Sequence, residues 1–289
     1  MTNNKLNRQS GNKWDVVITP RHHLLELNLG EIWEFRDLLL MFIKRDIVTV
    51  YKQTIFGPIW YLAQPVLTMV VFIVVFTNIA NISTDSIPPS LFYLAGIVMW
   101  NYFSDCFNQT SDTFFQNAYL FNKVYFPRII LPLSKVISSL IKFFIQASLF
   151  LVVYIYFILK GGNLSPSYAV LLIPVYLVLM GGIGLGTGII FTSITTKYRD
   201  LKFIISTFIQ LFMYATPVIY PMSILTPPYS SLMFFNPVAH IIEGFKFAFF
   251  GTGELNISGL LYSAGFTLII LISGIVIFNK TERNFVDFI

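Results

Sequence analysis

The sequence predicts an all-α integral membrane protein with six transmembrane helices, an N-terminal amphipathic interface helix, and outer re-entrant helices between spans five and six. Three observations carry that expectation. Hydrophobic residues make up 55% of the 289-residue chain and charged residues only 11%, against about 25% in an average soluble domain. With a mean hydropathy of +0.71, the chain has too little charge to coat a water-facing surface, which excludes a soluble enzyme or a nucleic-acid-binding domain. Next, six stretches reach the roughly 20 apolar residues that spanning requires, at 58–79, 90–116, 132–159, 168–192, 201–220 and 258–278. Finally, when Lys135, Lys142 and Lys202 are counted with the connections they adjoin, every Lys and Arg except Lys160 and Lys246 groups on one side. By the positive-inside rule that side is the cytoplasm, and it holds both termini. The net charge of +5 is thus a topological signal.

The chain divides into a cytoplasmic N-terminal region at 1–57, a six-span domain at 58–278 and a cytoplasmic tail at 279–289. Residues 1–30 are polar and mixed in charge, with no apolar stretch of signal-peptide length. Over 31–52 the spacing predicts a helix whose apolar face holds Ile32, Leu39, Leu40, Ile43, Ile47, Val50 and Tyr51, with Trp33 at its edge. Glu31, Glu34, Asp37, Lys44, Arg45 and Lys52 lie opposite, and Arg36 is long enough to snorkel. Such a helix lies along the bilayer surface, either as an anchor or as a platform for a cytoplasmic partner.

On the second span, Asn101, Asp105, Asn108 and Asp112 are spaced 4, 3 and 4 apart and form one stripe. Intramembrane carboxylates face the bundle interior or water. The stripe therefore lines a hydrophilic pathway or glues this span to Ser134, Ser138 and Gln146 on the next. The fourth span carries Gly181, Gly182, Gly184, Gly186 and Gly188. Without a strand, a helix and a Lys these cradle no phosphate, and Gly184-x-x-x-Gly188 suits close helix packing. Between spans five and six, Pro217, Pro221, Pro227, Pro228 and Pro237 cut residues 217–257 into pieces too short to span, such as Ala239–Phe250. These pieces read as re-entrant segments beside a wet outer mouth, or as an outer loop on the headgroups. Trp60, Tyr61, Trp100, Tyr102, Tyr214 and Tyr220 cluster at or near span ends, where aromatic belts form; their faces also suit sugar rings sliding past. The lone Cys106 and three His predict neither a disulfide nor a metal site. No P-loop string occurs, so ATP is not expected to bind this chain.

Five strings then follow one another in order: "RDIVTVYKQTIFGPIWYLAQP" (Arg45–Pro65), "NKVYFPRIILPLS" (Asn122–Ser134), "KYRDLKF" (Lys197–Phe203), "TPVIYP" (Thr216–Pro221) and "FNPVAHIIEGFK" (Phe235–Lys246). From residue 31 onward the chain resembles the membrane subunit, or permease, of type-2 ABC exporters for polysaccharides, the family of O-antigen, capsule and teichoic acid permeases. The resemblance implies a homodimer with a channel between its subunits, in the bacterial inner membrane. Two copies of a separate ABC ATPase subunit would drive it. No cofactor is expected on this chain, with ATP and Mg on the partner subunit, and no catalytic residue or nucleic-acid partner. It also implies that Glu34, Asp37, Arg45, Asp46, Lys123, Pro127 and Arg128 are candidates for coupling to the ATPase, and Lys197, Arg199 and Asp200 for an inner gate. Trp60, Tyr61, Trp100, Asn101, Asp105, Asn108, Tyr214 and Tyr220 are candidates for lining the channel. The expected cargo is a lipid-linked glycan, O-antigen first, with teichoic acid or capsule as the alternative. A rival of another class, an ion-coupled secondary transporter, should show internal repeats with matching broken helices, and no clear repeat is present.

Overall fold

A computed structural model describes residues 29–52, 57, 59–121, 126–162, 164–195, 200–253 and 255–284. Lys123, Lys197 and Arg199 lie outside these, as do residues 1–28. The described residues form helices and connections with no strand. In chain order the helices are α1 (Leu29–Glu34), α2 (Arg36–Lys52), α3 (Ile59–Phe72), α4 (Pro89–Ser111), α5 (Thr113–Phe121), α6 (Ile130–Leu159), α7 (Ile173–Thr195), α8 (Leu201–Tyr214), α9 (Tyr229–Phe234), α10 (Pro237–Phe250) and α11 (Ile257–Asn284). A π-helical segment, Ile73–Ile79, continues α3.

Four helical segments are long and apolar enough to cross a membrane: Ile59–Ile79, Ile130–Leu159, Tyr168–Thr195 and Ile257–Lys280. The second and fifth predicted spans are helical as well but differ from the expectation. α4, with 23 residues, is about 35 Å long, and its polar stripe lowers its hydropathy. α8 is apolar but has only 14 residues, about 21 Å. It ends at Tyr214 instead of near 220, because Pro217 supplies no N–H and pushes the residue before it out of the helical region. At the other end of the chain, α11 continues to Asn284, so the predicted tail begins as helix.

The core sits around α4. Leu91 to Trp100 are buried on every side, as expected for a helix that is enclosed all round. α6, α7, α10, α3 and α8 surround it. α7 reaches α4 through one set of glycines and α11 through another. A Cβ on Gly184 would stand 3.2 Å from the Phe103 carbonyl oxygen, and one on Gly188 3.0 Å from that of Phe107. On the opposite face, a Cβ on Gly186 would meet the Ile270 carbonyl carbon at 3.0 Å, and Gly274 of α11 returns the approach toward the Gly186 carbonyl. Two stripes of small residues let three backbones pack closely in a row.

α10 owes its boundaries to local chemistry. The Asn236 side chain accepts from the N–H groups of Val238 and Ala239, Pro237 occupies the first turn, and Gly251 closes the helix with φ 66°. α10 does not lie on a surface. It is buried against α4, α7 and α11, and Tyr154 of α6 donates to the Phe249 carbonyl at 2.6 Å.

The surface helix departs from its predicted phase. A turn at Phe35 separates α1 from α2. The face that packs on the start of α6 holds Phe35, Leu38, Leu39, Phe42 and Ile43, whereas Leu40 is 60% exposed. The docking ridge follows the aromatic ring of Phe42, which meets Phe126 at 5.8 Å.

Candidate functional site

The α4 stripe is engaged along its length. Asn101 donates to Gln146 Oε1 at 3.3 Å, and Gln146 donates to the Tyr61 carbonyl of α3 at 3.2 Å. Asp105 forms an ion pair with Lys142 at 2.8 Å. Asn108 donates to Ser104 on its own helix, and Gln109 to Ser139 of α6 at 3.2 Å. Asp112, just beyond the last turn of α4, pairs with Lys202 of α8 at 2.9 Å. The stripe thus joins α4 to α3, α6 and α8. Of the three α6 partners that the glue reading named, Gln146 is used, whereas Ser134 donates to the Leu131 carbonyl on its own helix and the Ser138 hydroxyl has no hydrogen-bond partner among the described residues. Lys142 and Ser139 went unrecognised as partners. The signal that could have found Lys142 is charge: a lysine inside an apolar run needs an acid opposite it.

A second network joins α2, α5 and α6. Asp46 takes the Lys135 ammonium at 2.8 Å on one oxygen and the Arg45 guanidinium at 2.9 Å on the other. Arg45 also donates to Asn117 Oδ1 at 3.4 Å and covers the Phe42 ring at 4.9 Å. Asn117 lies at a kink in α5, with φ −117° and ψ 18°, and its amide donates to the Thr113 carbonyl. Beneath this network Phe42, Phe126, Ile130 and Leu131 make a small apolar cluster. The Asp46–Lys135 pair holds α2 at a fixed register on α6, while Arg45, on α2 itself, supports Asp46 and reaches Asn117 of α5. Lys135 and Asn117 are the members that sequence reasoning did not assign to this role.

A cavity of about 70 Å³ connects the two networks. Asp46, Tyr61, Gln109, Ser138 and Lys142 line it, and among the described residues the buried Ser138 hydroxyl has no hydrogen-bond partner. The Lys142 ammonium also sits 5.1 Å from the centre of the Tyr61 ring. A polar seam therefore runs from the surface helix into the middle of the bundle.

The other candidates are spread out. Glu34 and Asp37 are exposed, with Arg36 at 4.0 Å from Asp37. Pro127 and Arg128 form the turn into α6, where the Ile130 N–H donates to the Pro127 carbonyl at 3.0 Å. Asp200 is exposed at the start of α8. Trp60 at the head of α3 and Tyr214 at the end of α8 are exposed on the single chain, and Tyr220 is half-buried. Trp100 is enclosed between Phe103 and Phe212, with ring centres at 5.3 and 5.8 Å.

Compared with known proteins, residues 37–250 match the family described as ABC-2 type transporter. The O-antigen export system permease protein RfbA of Klebsiella pneumoniae is 29% identical over 265 residues, covering 91% of this chain and 98% of the relative. A Myxococcus xanthus protein of the same description is 25% identical over 89% and 97% of the two chains. The polysialic acid transport protein KpsM of Escherichia coli is 20% identical over 83% and 91%.

Proposed function

The chain belongs to the ABC-2 type transporter membrane family, and on that premise we propose that it is the permease subunit of an ATP-driven exporter moving a lipid-linked polysaccharide, O-antigen first, across the inner membrane. One observation carries this function. Relatives described as O-antigen export permeases align with the chain almost from end to end, covering 91% of it and 98% of the first relative. A capsule-type cargo is the second reading, favoured by the likeness to the polysialic acid transport protein.

The physical scheme has six spans, made by α3 with its π-helical extension, α4, α6, α7, α8 with the turns after it, and α11. α10 re-enters from the outer side. Two copies of the chain enclose the channel, and two copies of a separate ATPase hydrolyse ATP with Mg beneath them. Trp60, Tyr61, Asn101, Asp105, Asn108, Tyr214 and Tyr220 supply its aromatic and polar lining; Trp100, expected there from the sequence, is instead enclosed in the core between Phe103 and Phe212. Glu34, Asp37, Lys123, Pro127 and Arg128 meet the ATPase, and Lys197, Arg199 and Asp200 form the inner gate. The seam from Asp46 through Tyr61 and Lys142 to Asp105 supports a coupling route. Movement of α2 pulls on Lys135, displaces the head of α6, and reaches α4 through the Lys142–Asp105 pair. Ion pairs of this kind fix a register more than they add stability, which suits a lever.

The test is deletion of the chain in its host, with complementation. Deletion is expected to strand the lipid-linked glycan on the cytoplasmic face and to deplete it at the cell surface. Wild type restores export. Asp46→Lys fails at normal protein level, and Asp46→Lys with Lys135→Asp recovers a substantial part. Unchanged surface glycan after deletion would overturn the function, and full export by Asp46→Lys alone would overturn the coupling route.

A further inference from the structure

At the end of the bundle opposite α2 lies a cavity of about 660 Å³. Its position follows from α6, whose first residues pack under α2 while Tyr154, near its far end, bonds to α10. α6 has 30 residues, about 45 Å of helix. The cavity falls within the range of about 300–1,000 Å³ typical of small-ligand sites. The α3–α4 connection contributes Asp85, α10 contributes His240, Glu243 and Lys246, and α7 contributes Tyr176. None of these belongs to the polar seam.

Its charges are unevenly committed. The buried Lys246 ammonium donates to the Pro217 carbonyl at 2.6 Å and to Glu243 Oε1 at 3.3 Å, and it lies 3.7 Å from the centre of the Phe92 ring. Its donors are spent inside the protein, so it has nothing to offer an anion. Asp85 accepts from the Ser223 hydroxyl at 2.8 Å and is half-buried. The His240 ring bonds to the Phe234 carbonyl at 3.0 Å. Among the described residues that line the cavity, two carboxylates, Asp85 and Glu243, stand against one ammonium, Lys246.

The second observation is independent of charge. Tyr176, on the cavity wall, is fully buried, and among the described residues its hydroxyl has no hydrogen-bond partner. A buried hydroxyl left unpaired is destabilising, and a ligand that pairs with it relieves that cost. The ring lies across α10 where Gly244 leaves room, since a Cβ there would meet it at 3.0 Å. This packing fixes the hydroxyl at the wall.

We infer that this cavity is a subsite for one or two uncharged sugar units, bound through their hydroxyls to Asp85, Glu243 and the Tyr176 hydroxyl. Carboxylates accept hydrogen bonds from sugar hydroxyls, and the tyrosine can donate or accept. Two carboxylates, beside a lysine whose donors are already engaged, turn away phosphate and uronate groups. The ligand class rests on the polysaccharide function proposed above; the site itself rests on the cavity and its unpaired hydroxyl.

The test uses the full chain in nanodiscs and saturation-transfer NMR with the methyl glycosides of galactose, mannose and rhamnose, and with methyl glucuronoside as the charged control. At least one neutral glycoside is expected to bind saturably, with the glucuronoside at least tenfold weaker. Tyr176→Phe keeps the ring and its packing and removes an unpaired buried hydroxyl, so its thermal unfolding midpoint should not fall below the wild-type value while affinity falls roughly five- to tenfold. Asp85→Asn, on an exposed connection, gives a second variant with the same expected direction. Absence of any neutral glycoside binding, equal affinity in both variants, or preference for the glucuronoside would each overturn the subsite. These readouts do not depend on export. A deletion that leaves surface glycan unchanged therefore removes the proposed function, while normal export with no glycoside binding removes only the subsite.

Discussion

Lys142 stands in the middle of a helix whose neighbouring residues are almost all apolar, and it is stable there because Asp105 faces it at 2.8 Å. Removing one partner leaves the other charge without compensation, whereas replacing both by apolar residues of similar size is close to neutral. Lys142→Met alone should lower stability by about 3 kcal/mol, and Asp105→Leu with Lys142→Met should recover most of that. Thermal unfolding of the purified chain in one detergent decides it. A single and a double variant of equal stability would show the pair to be unimportant. The stripe on α4 was legible from its 4-3-4 spacing. Its partner lysine was not, because spacing along one helix says nothing about which neighbour turns toward it. Tyr176 makes the same point, since nothing in its sequence context marks a hydroxyl that the fold leaves unpaired.

Among the elements, α7 depends most on missing side chains. Gly184 approaches the backbone of α4, and the atoms it would strike include the Phe103 carbonyl oxygen and the Phe107 nitrogen, both at 3.2 Å. Backbone cannot swing aside as a side chain can. Gly184→Val should therefore cost about 3 kcal/mol, at the upper end of overpacking effects, and should cut the yield of folded, monodisperse protein. Gly265→Val makes the matched control, because nothing stands within 4 Å of a Cβ there. Similar yields and unfolding midpoints for the two variants would refute close packing at α7. The surface helix teaches a different lesson. Its existence followed from periodicity, but its docked face did not. The apolar residues of α2 extend around more of its circumference than α6 can cover, and the Phe42–Phe126 contact selects Leu39 over Leu40.

For the whole molecule, the distribution of Lys and Arg predicts that α2 and the far end of α6 lie on opposite sides of the membrane. Cys106 is the only cysteine and is fully buried, so introduced thiols report cleanly. In intact spheroplasts an impermeant maleimide should label Lys160→Cys, exposed at the end of α6, and should spare Lys44→Cys, exposed on α2, until the membrane is opened. The reverse pattern would invert the topology, and labelling of both in closed spheroplasts would put α2 and Lys160 on one side.

By itself the sequence determined that this is a helical membrane protein, where four of its apolar segments begin and end to within a few residues, and, through five ordered strings, its family. Those properties are written in composition, in period and in order along the chain, and each is local. The tertiary structure alone decided that α4 is the enclosed centre, that its stripe is answered by Lys142 and Lys202 besides Gln146, that Asp46 reaches Lys135, and that a buried tyrosine hydroxyl is left unpaired at the wall of a cavity beside α10. Each of these joins groups far apart in the chain. A charge or a polar atom buried in an apolar bundle requires a partner, yet the requirement does not say where along the chain that partner lies.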